Sequence, residues 1–127
     1  MGDGWAWVSL SAHSTDLSSD GLRDVLPGSV VSRRNPHLAS VRFKGPGSRA
    51  SLDELLLELA EYLSSHRDTL LSRLGHADIQ LRVGWSPRSP QESLAVSWTL
   101  LAALAEIRAD VVIDTYDETD EIGEPAL

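Results

Sequence analysis

The sequence predicts an α+β protein built on a mixed β-sheet with its helices on one face. Three observations support this prediction. Short segments alternate apolar and polar residues with the period of a strand, most clearly residues 38–44 and 77–85. Residues 52–74 instead repeat leucine with the period of a helix. Finally, 127 residues is the length of one domain with one core.

The first predicted strand covers residues 5–12, which are rich in aromatic and β-branched side chains. A short helix follows, because residues 18–20 offer an N-cap and the Pro-Gly pair at 27–28 stops the chain. Two further strands are predicted at residues 29–33 and 38–44, separated by an Asn-Pro turn signal.

The longest predicted helix begins at Ser51 and runs to Leu74, with Gly75 as its stop signal. Ser51 and Glu54 form a capping box, in which each side chain bonds the other residue's backbone amide. A polar run at residues 64–68 predicts a break or kink in this helix. The stripe that defines its buried face consists of Leu52, Leu55, Leu56, Leu59, Leu63, His66, Leu70 and Leu74.

The last third of the chain predicts two strands and one helix. Residues 77–85 alternate cleanly and form the fourth strand. Residues 91–96 fit either a helix entered through Pro90 or an extended segment, and we favour an extended segment at 94–96 that pairs with the fourth strand. Ser97 then caps a helix that runs to Ile107, and residues 111–116 form the last strand.

The predicted order of elements is therefore β-α-β-β-α-β-α-β. Its first six elements have the order of a ferredoxin-like split βαβ core (β-α-β-β-α-β), extended by a further α-β unit. We expect one α+β domain over residues 1–117. Residues 118–127 are acidic and poor in apolar side chains, which predicts a flexible tail.

Composition disfavours several classes of partner and site. A net charge of -8 and a pI near 4.8 disfavour nucleic-acid binding, which needs Lys and Arg to neutralise phosphates. The absence of cysteine excludes disulfides, thiolate nucleophiles and Cys-ligated metals. No apolar run has the length of a membrane span, and the first residues lack a signal-peptide pattern. We expect a cytoplasmic protein without a membrane partner.

Catalytic motifs are missing from the sequence. The four histidines lack zinc-ligand spacing, and neither a Gly-x-Ser-x-Gly elbow nor a P-loop is present. We therefore predict no catalytic residues, no cofactor and no metal site. His13 and Asp16, after the first strand, form either a site or a simple turn. His66 is either a ligand or a partly buried side chain of the long helix.

Charge is distributed unevenly along the chain. Seven of the nineteen acids lie between Asp110 and Leu127. Within that stretch, the residues predicted to bind a partner are Asp114, Asp117, Glu118, Asp120 and Glu121. A basic group occupies the stretch between Val30 and Ala50, which contains no acid. It is either a solvated face of the second and third strands or a site for a phosphate, an acidic surface or the tail of a second copy. The group consists of Arg33, Arg34, Arg42, Lys44 and Arg49.

Aromatic residues suggest a second candidate site. Trp5 and Trp7 share one face of the first strand because strand side chains alternate. Trp5, Trp7 and Trp85 are either core or sheet-cover residues or, together with Phe43, line a pocket on the sheet face that the helices leave uncovered. His13 or Arg42 would give this pocket its polarity.

Residues 97–104 (SWTLLAAL) and 111–116 (VVIDTY) resemble a small bacterial domain family of unknown function, numbered 4279. The family has a short capped helix there, followed by an apolar strand that ends in Asp-x-Tyr. The resemblance covers most of the chain from residue 7 to 117. It implies no catalytic residues, because the family has no settled activity. Its members are similar in size and character to immunity proteins of bacterial toxin systems.

Three functions follow as hypotheses. The first is an acidic protein-binding module of the immunity type, which neutralises a basic toxin domain by occluding its active cleft. The second is a small-molecule-binding domain or small enzyme of ferredoxin-like type that uses the uncovered sheet face. The third is an architectural homodimer. We favour the first, because the chain is small and acidic and carries no catalytic motif.

Overall fold

A computed structural model describes residues 5–45, 51–87 and 93–116. These residues form five strands and four helices, and the α+β class agrees with the prediction. The strands are β1 (Trp5–His13), β2 (Val30–Val31), β3 (Leu38–Phe43), β4 (Asp78–Ser86) and β5 (Asp110–Thr115). The helices are α1 (Ser19–Val25), α2 (Leu52–Ser65), α3 (Arg67–Ser72) and α4 (Trp98–Glu106).

The strands form one mixed sheet in the order β2-β3-β1-β4-β5. The neighbours β2–β3, β3–β1 and β1–β4 are antiparallel, whereas β4 and β5 are parallel. A parallel pair needs a crossover connection, and α4 lies in the segment that joins β4 to β5. The central strand β1 places Val8 between Phe43 and Val83, so that apolar residues of three strands meet on one face.

One hydrophobic core joins that face to the helices. Its strand members are alternate residues, for example Val8, Leu10 and Ala12 of β1, as expected for one face of a sheet. Every described helix contributes buried leucines to the same core. We call this the helix-covered face and its opposite the outer face. Representative outer-face residues are Trp7, Ser9, Ser40, Arg42, Arg82, Gly84, Val112 and Asp114.

Serine hydroxyls begin three of the helices, as the sequence predicted. Ser18, Ser51 and Ser97 each accept a hydrogen bond from the backbone amide three residues later. At α2 the capping box is complete, because the Glu54 carboxylate also accepts from the Ser51 amide. Such caps satisfy amides that have no partner inside the helix, and each contributes about 1 kcal/mol.

The predicted long helix is two helices. It breaks at His66, inside the polar run that predicted a break, and α3 begins at Arg67. The His66 ring is partly buried and lies 4.5 Å from the ring of Tyr62, between ring centroids. His66 is therefore a partly buried side chain, the second alternative of the prediction, and it occupies the C-cap of α2.

Residues 93–97 do not form the strand that we favoured. They have no regular structure and do not pair with β4, although Leu94 and Val96 pack at the margin of the core. The physical reason is that β4 already has two neighbours, β1 and β5. The alternating pattern at Leu94 and Val96 therefore reflects partial burial of their side chains and not hydrogen bonding to a neighbouring strand.

A tight turn connects α4 to the final strand. Arg108 adopts a left-handed conformation with φ of 56°, which is unusual for a residue other than glycine. The amide of Ala109 then donates to the carbonyl of Leu104 at 2.9 Å, as in helix C-caps of this kind. This turn reverses the chain within a few residues and sets β5 beside β4.

Candidate interaction surface

The helix α4 presents three different flanks. Its buried residues Leu100 and Leu104, and the C-cap residue Ile107, face the core. A second flank, with Thr99, Ala103 and Glu106 among its residues, lines a groove shared with α2 and the start of α3. Since successive helix residues are 100° apart, Trp98, Leu101 and Ala105 occupy a third flank, which is turned away from α2.

The groove between α2 and α4 has a volume of about 370 Å³ and is bridged by an ion pair. Arg67 donates to Glu106 through Nε at 2.7 Å and through a terminal nitrogen at 3.1 Å. This hydrogen bond and the guanidinium charge hold the pKa of the Glu106 carboxyl below its usual range. The two charges already satisfy each other, and the rest of the lining is mostly apolar, with Ser64 and Thr99 as its other polar residues.

The third flank of α4 lies on the β5 side of the molecule. Helix α2 packs on β1 and β3, and α1 packs on β1, β2 and β3. Because α4 contacts α2 and follows β4, it lies toward the β4–β5 edge. Its flank away from α2 therefore faces the same edge as β5.

Exposed apolar side chains cluster in this α4–β5 unit. Trp98 is 79% exposed and Leu101 48% exposed on α4, while Val111 and Ile113 of β5 are 43% and 41% exposed. Val111 and Ile113 pair in register with the core residues Leu81 and Val83, so they lie on the helix-covered face. They are not themselves members of the core. We call Trp98, Leu101, Ala105, Val111 and Ile113 the β5–α4 surface.

Acidic residues lie at both ends of the apolar run Val111, Val112 and Ile113 of β5. Asp110 and Asp114 lie on the outer face, where Asp114 Oδ2 is 3.9 Å from a terminal nitrogen of Arg82. That separation is an ion pair without a hydrogen bond, and both side chains are about two-fifths exposed. The other predicted partner-binding residues, Asp117, Glu118, Asp120 and Glu121, lie outside the described residues.

The predicted aromatic pocket is divided between the two faces of the sheet. Trp5 and Trp7 lie on the outer face, as their shared alternation predicted. Phe43 and Trp85 belong instead to the core on the helix-covered face. The register explains the difference: Phe43 lies opposite Val8, and Trp85 lies opposite Ala6, one residue out of phase with Trp7. The four side chains therefore do not line one pocket.

The outer face carries its own aromatic and polar features. The ring of Trp5 lies 5.0 Å from the ring of Tyr116, between centroids. Trp7 is only 3% exposed and lies over Gly84, its register partner. Among the described residues of this face, three buried polar atoms lack a hydrogen-bond partner: Trp7 Nε1, Ser40 Oγ and Arg82 Nε.

The remaining predicted site residues do not converge. His13 is exposed at the end of β1, and Asp16 is exposed in the turn that follows, where its amide donates to the Ser14 hydroxyl. This is the turn alternative of the prediction. In the basic group, Arg33, Arg34 and Lys44 are exposed and Arg42 is partly buried on the outer face, whereas Arg49 lies outside the described residues.

Two kinds of feature are absent from the described part of the chain. Within residues 5–45, 51–87 and 93–116, no group of three or more His, Asp or Glu side chains is placed to hold a metal ion. In the same ranges, no helix combines the length and the apolar character that crossing a membrane requires.

Sequence reasoning missed Trp98 and Leu101 as surface residues. The available signal was the composition of α4, WTLLAALAE, which is apolar on more than the one flank that a core needs. Comparison with known proteins found no matching family model, no matching curated protein and no matching solved structure. The resemblance to the family numbered 4279 stays a prediction from the sequence.

Proposed function

We propose that this protein is a protein-binding module that docks a basic partner on its β5–α4 surface. The observation that supports the proposal is the grouping of Trp98, Leu101, Val111 and Ile113, all more than 40% exposed, on one helix–strand unit. Grouped exposed apolar side chains mark interaction sites more often than scattered ones do. Tryptophan is also enriched among the residues that dominate binding energy.

The charge of the chain favours a cationic partner. Its net charge is -8, and Asp110 and Asp114 border the apolar residues of β5. An apolar centre with a charged margin is the usual anatomy of an interface. The negative potential speeds the encounter with a basic surface, and this contribution weakens as salt screens it.

In its fullest form, the proposal is an immunity-type protein that neutralises a basic toxin domain by covering its active cleft. The acidic β5 segment would meet the Arg and Lys side chains with which such a cleft holds its substrate. This form rests on the charge pattern and on the small size of the chain. It needs no catalytic residue on this protein.

The test is affinity capture from the source cells with matched variants. Wild type and Leu57→Ala, which truncates a 62% exposed leucine of α2, should capture the same basic protein. Trp98→Ala/Leu101→Ala should lose it. With the purified partner, the association rate should fall as sodium chloride rises. Equal capture by the double variant would refute the proposed surface, and an association rate independent of salt would refute the role of charge.

We also propose that β1 to β4, with α1 and α2, form a ferredoxin-like core to which α3, α4 and β5 are additions. In support, β2, β3, β1 and β4 are consecutive antiparallel neighbours, with α1 between β1 and β2 and α2 between β3 and β4. An experimental structure that reversed one of these strands would contradict this proposal.

Binding of a small anion on the outer face is a second candidate. Ser9 lies between Arg42 and Arg82 in register, and Arg82 Nε and Trp7 Nε1 are buried donors without an acceptor among the described residues. A carboxylate or phosphate would supply acceptors. Titration of wild type and Arg82→Gln with carboxylates and phosphate, followed by tryptophan fluorescence, tests it. An unchanged wild-type spectrum would reject this candidate.

A further inference from the structure

The strand β5 lies at the edge of the sheet and has one neighbour among the described strands. The direction of its backbone groups follows from one hydrogen bond, because the amide of Tyr116 donates to the carbonyl of Trp85 at 2.9 Å. Backbone groups of successive strand residues point to opposite sides. Val111, Ile113 and Thr115 therefore direct their N–H and C=O groups away from β4.

The same residues that carry outward backbone groups also carry apolar side chains. Val111 and Ile113 are exposed on the helix-covered face. Asp110 and Asp114 lie on the outer face and direct their backbone groups toward β4. An added strand would thus meet an apolar row on one face and an acidic row on the other.

We propose that the partner adds an antiparallel strand to β5, through a segment that alternates apolar and basic residues. This inference rests on the proposed function and specifies its geometry. The apolar side chains of the segment pack against Val111 and Ile113. Its Lys or Arg side chains lie beside Asp110 and Asp114, and its backbone completes the ladder at the outer edge of β5.

A second copy of this chain fits the edge less well. In an antiparallel β5–β5 pair, the register that sets Val111 opposite Ile113 also sets Asp110 opposite Asp114. Because the pair is symmetric, the Asp110–Asp114 contact occurs twice. Like charges directly opposite each other on neighbouring strands are destabilising. In this register, charge complementarity therefore favours a basic segment from a different protein.

The probe is a fluorescein-labelled peptide of about eight residues, a typical strand length, that alternates lysine and valine. A peptide of the same composition with its valines and lysines in separate blocks is the control. Anisotropy titrations in low salt should show binding of the alternating peptide and at least about tenfold weaker binding of the block peptide. Equal binding of the two would reject strand addition in favour of general charge attraction.

Backbone methylation tests the ladder itself. In an antiparallel pair, the residues opposite Val111 and Ile113 direct their amides toward β5. N-methylation of the valines should therefore weaken binding by about tenfold or more, while N-methylation of the lysines should change it by less than about threefold. The opposite order, or no effect of either modification, would overturn the proposal.

Protein variants separate this inference from the proposed function. Asp110→Asn/Asp114→Asn should weaken peptide binding by about tenfold, whereas Asp24→Asn/Asp53→Asn, with the same change in net charge, should weaken it by less than about twofold. Ile113→Pro, which removes an outward amide, should bind far more weakly than Ile113→Ala. If Ile113→Pro still captures the partner that Trp98→Ala/Leu101→Ala loses, strand addition fails while the binding module stands.

Discussion

Trp7 shows how one glycine permits a buried indole on the outer face. Its ring lies directly over Gly84 of the neighbouring strand, where a side chain would occupy the same space. A Cβ atom at Gly84 would overlap Cε2 and Nε1 of the indole. Glycine inside a strand usually weakens it, and here close approach of a ring explains its presence.

Substitution Gly84→Ala should lower the free energy of unfolding by about 1–3 kcal/mol, because the indole must move. Urea denaturation followed by circular dichroism measures the loss. Gly21→Ala is the control, because a Cβ there would meet its nearest neighbours at 3.4 Å. In a Trp7→Ala background, Gly84→Ala should cost less than in wild type; an equal cost would show that the ring is not the cause.

Tyr62 links α2 to the turn after α1. Its hydroxyl donates to the carbonyl of Pro27 at 2.6 Å, and its ring packs edge-on against Phe43 with centroids 5.5 Å apart. Burial raises the pKa of the Tyr62 phenol above its ordinary value of 10.0. The folded protein therefore holds this proton at a pH where the unfolded chain releases it.

Stability should consequently fall as pH rises above about 10, because the unfolded state then binds fewer protons than the folded state. Below that pH both states keep the proton, so the contribution of Tyr62 to stability is fully present and no longer depends on pH. Urea midpoints between about pH 8 and pH 11 should decline more steeply for wild type than for Tyr62→Phe. Parallel declines would contradict the assignment. At about pH 8, Tyr62→Phe should cost about 1 kcal/mol for the lost hydrogen bond.

At the scale of elements, α4 has two kinds of leucine on adjacent positions. Leu100 and Leu104 are 5% and 2% exposed in the core, whereas Leu101 is 48% exposed on the free flank. Composition alone does not distinguish them, because all three are leucines in one apolar helix. Their orientation toward α2 and the sheet makes the difference.

Leu104→Ala should destabilise the fold by about 2–5 kcal/mol, as truncation of a buried leucine usually does. Leu101→Ala should change stability by less than about 0.5 kcal/mol, since its side chain already contacts solvent. Chemical denaturation of both variants provides the measurement. Similar losses for the two would mean that α4 is rotated about its axis from this orientation.

At the scale of the whole molecule, one core connects every described helix to the sheet. Buried leucines of α1, α2, α3 and α4 join residues of β1, β3 and β4 in a single cluster. No described element has a separate core of its own. The helices and the sheet should therefore lose their structure together.

Unfolding in urea should be two-state, because small domains with one core unfold cooperatively. Tryptophan fluorescence, which includes Trp7 and Trp85 in the sheet and Trp98 on α4, should give the same midpoint as the far-ultraviolet circular dichroism of the helices. Two separated midpoints would contradict a single cooperative unit.

Local signals in the sequence determined most of the elements. The capping serines Ser51 and Ser97, the period-two strands and the polar run around His66 predicted helix starts, strands and a helix break, because these depend on neighbouring residues. The α+β class and the mixed sheet followed from their order. The acidic residues of β5 were also evident from the sequence.

Only the tertiary structure determined which face of each helix and strand packs against its neighbours. The tertiary structure placed Trp5 and Trp7 on the opposite sheet face from Phe43 and Trp85 and left residues 93–97 without a strand partner. It also left Trp98 of α4 and Val111 and Ile113 of β5 exposed. Each outcome depends on strand register and on which strand occupies the neighbouring position, and these are set by contacts between residues far apart in the chain. A local pattern determines the period with which apolar residues repeat along a helix or strand. Long-range packing determines whether each of these side chains contacts the core or the solvent.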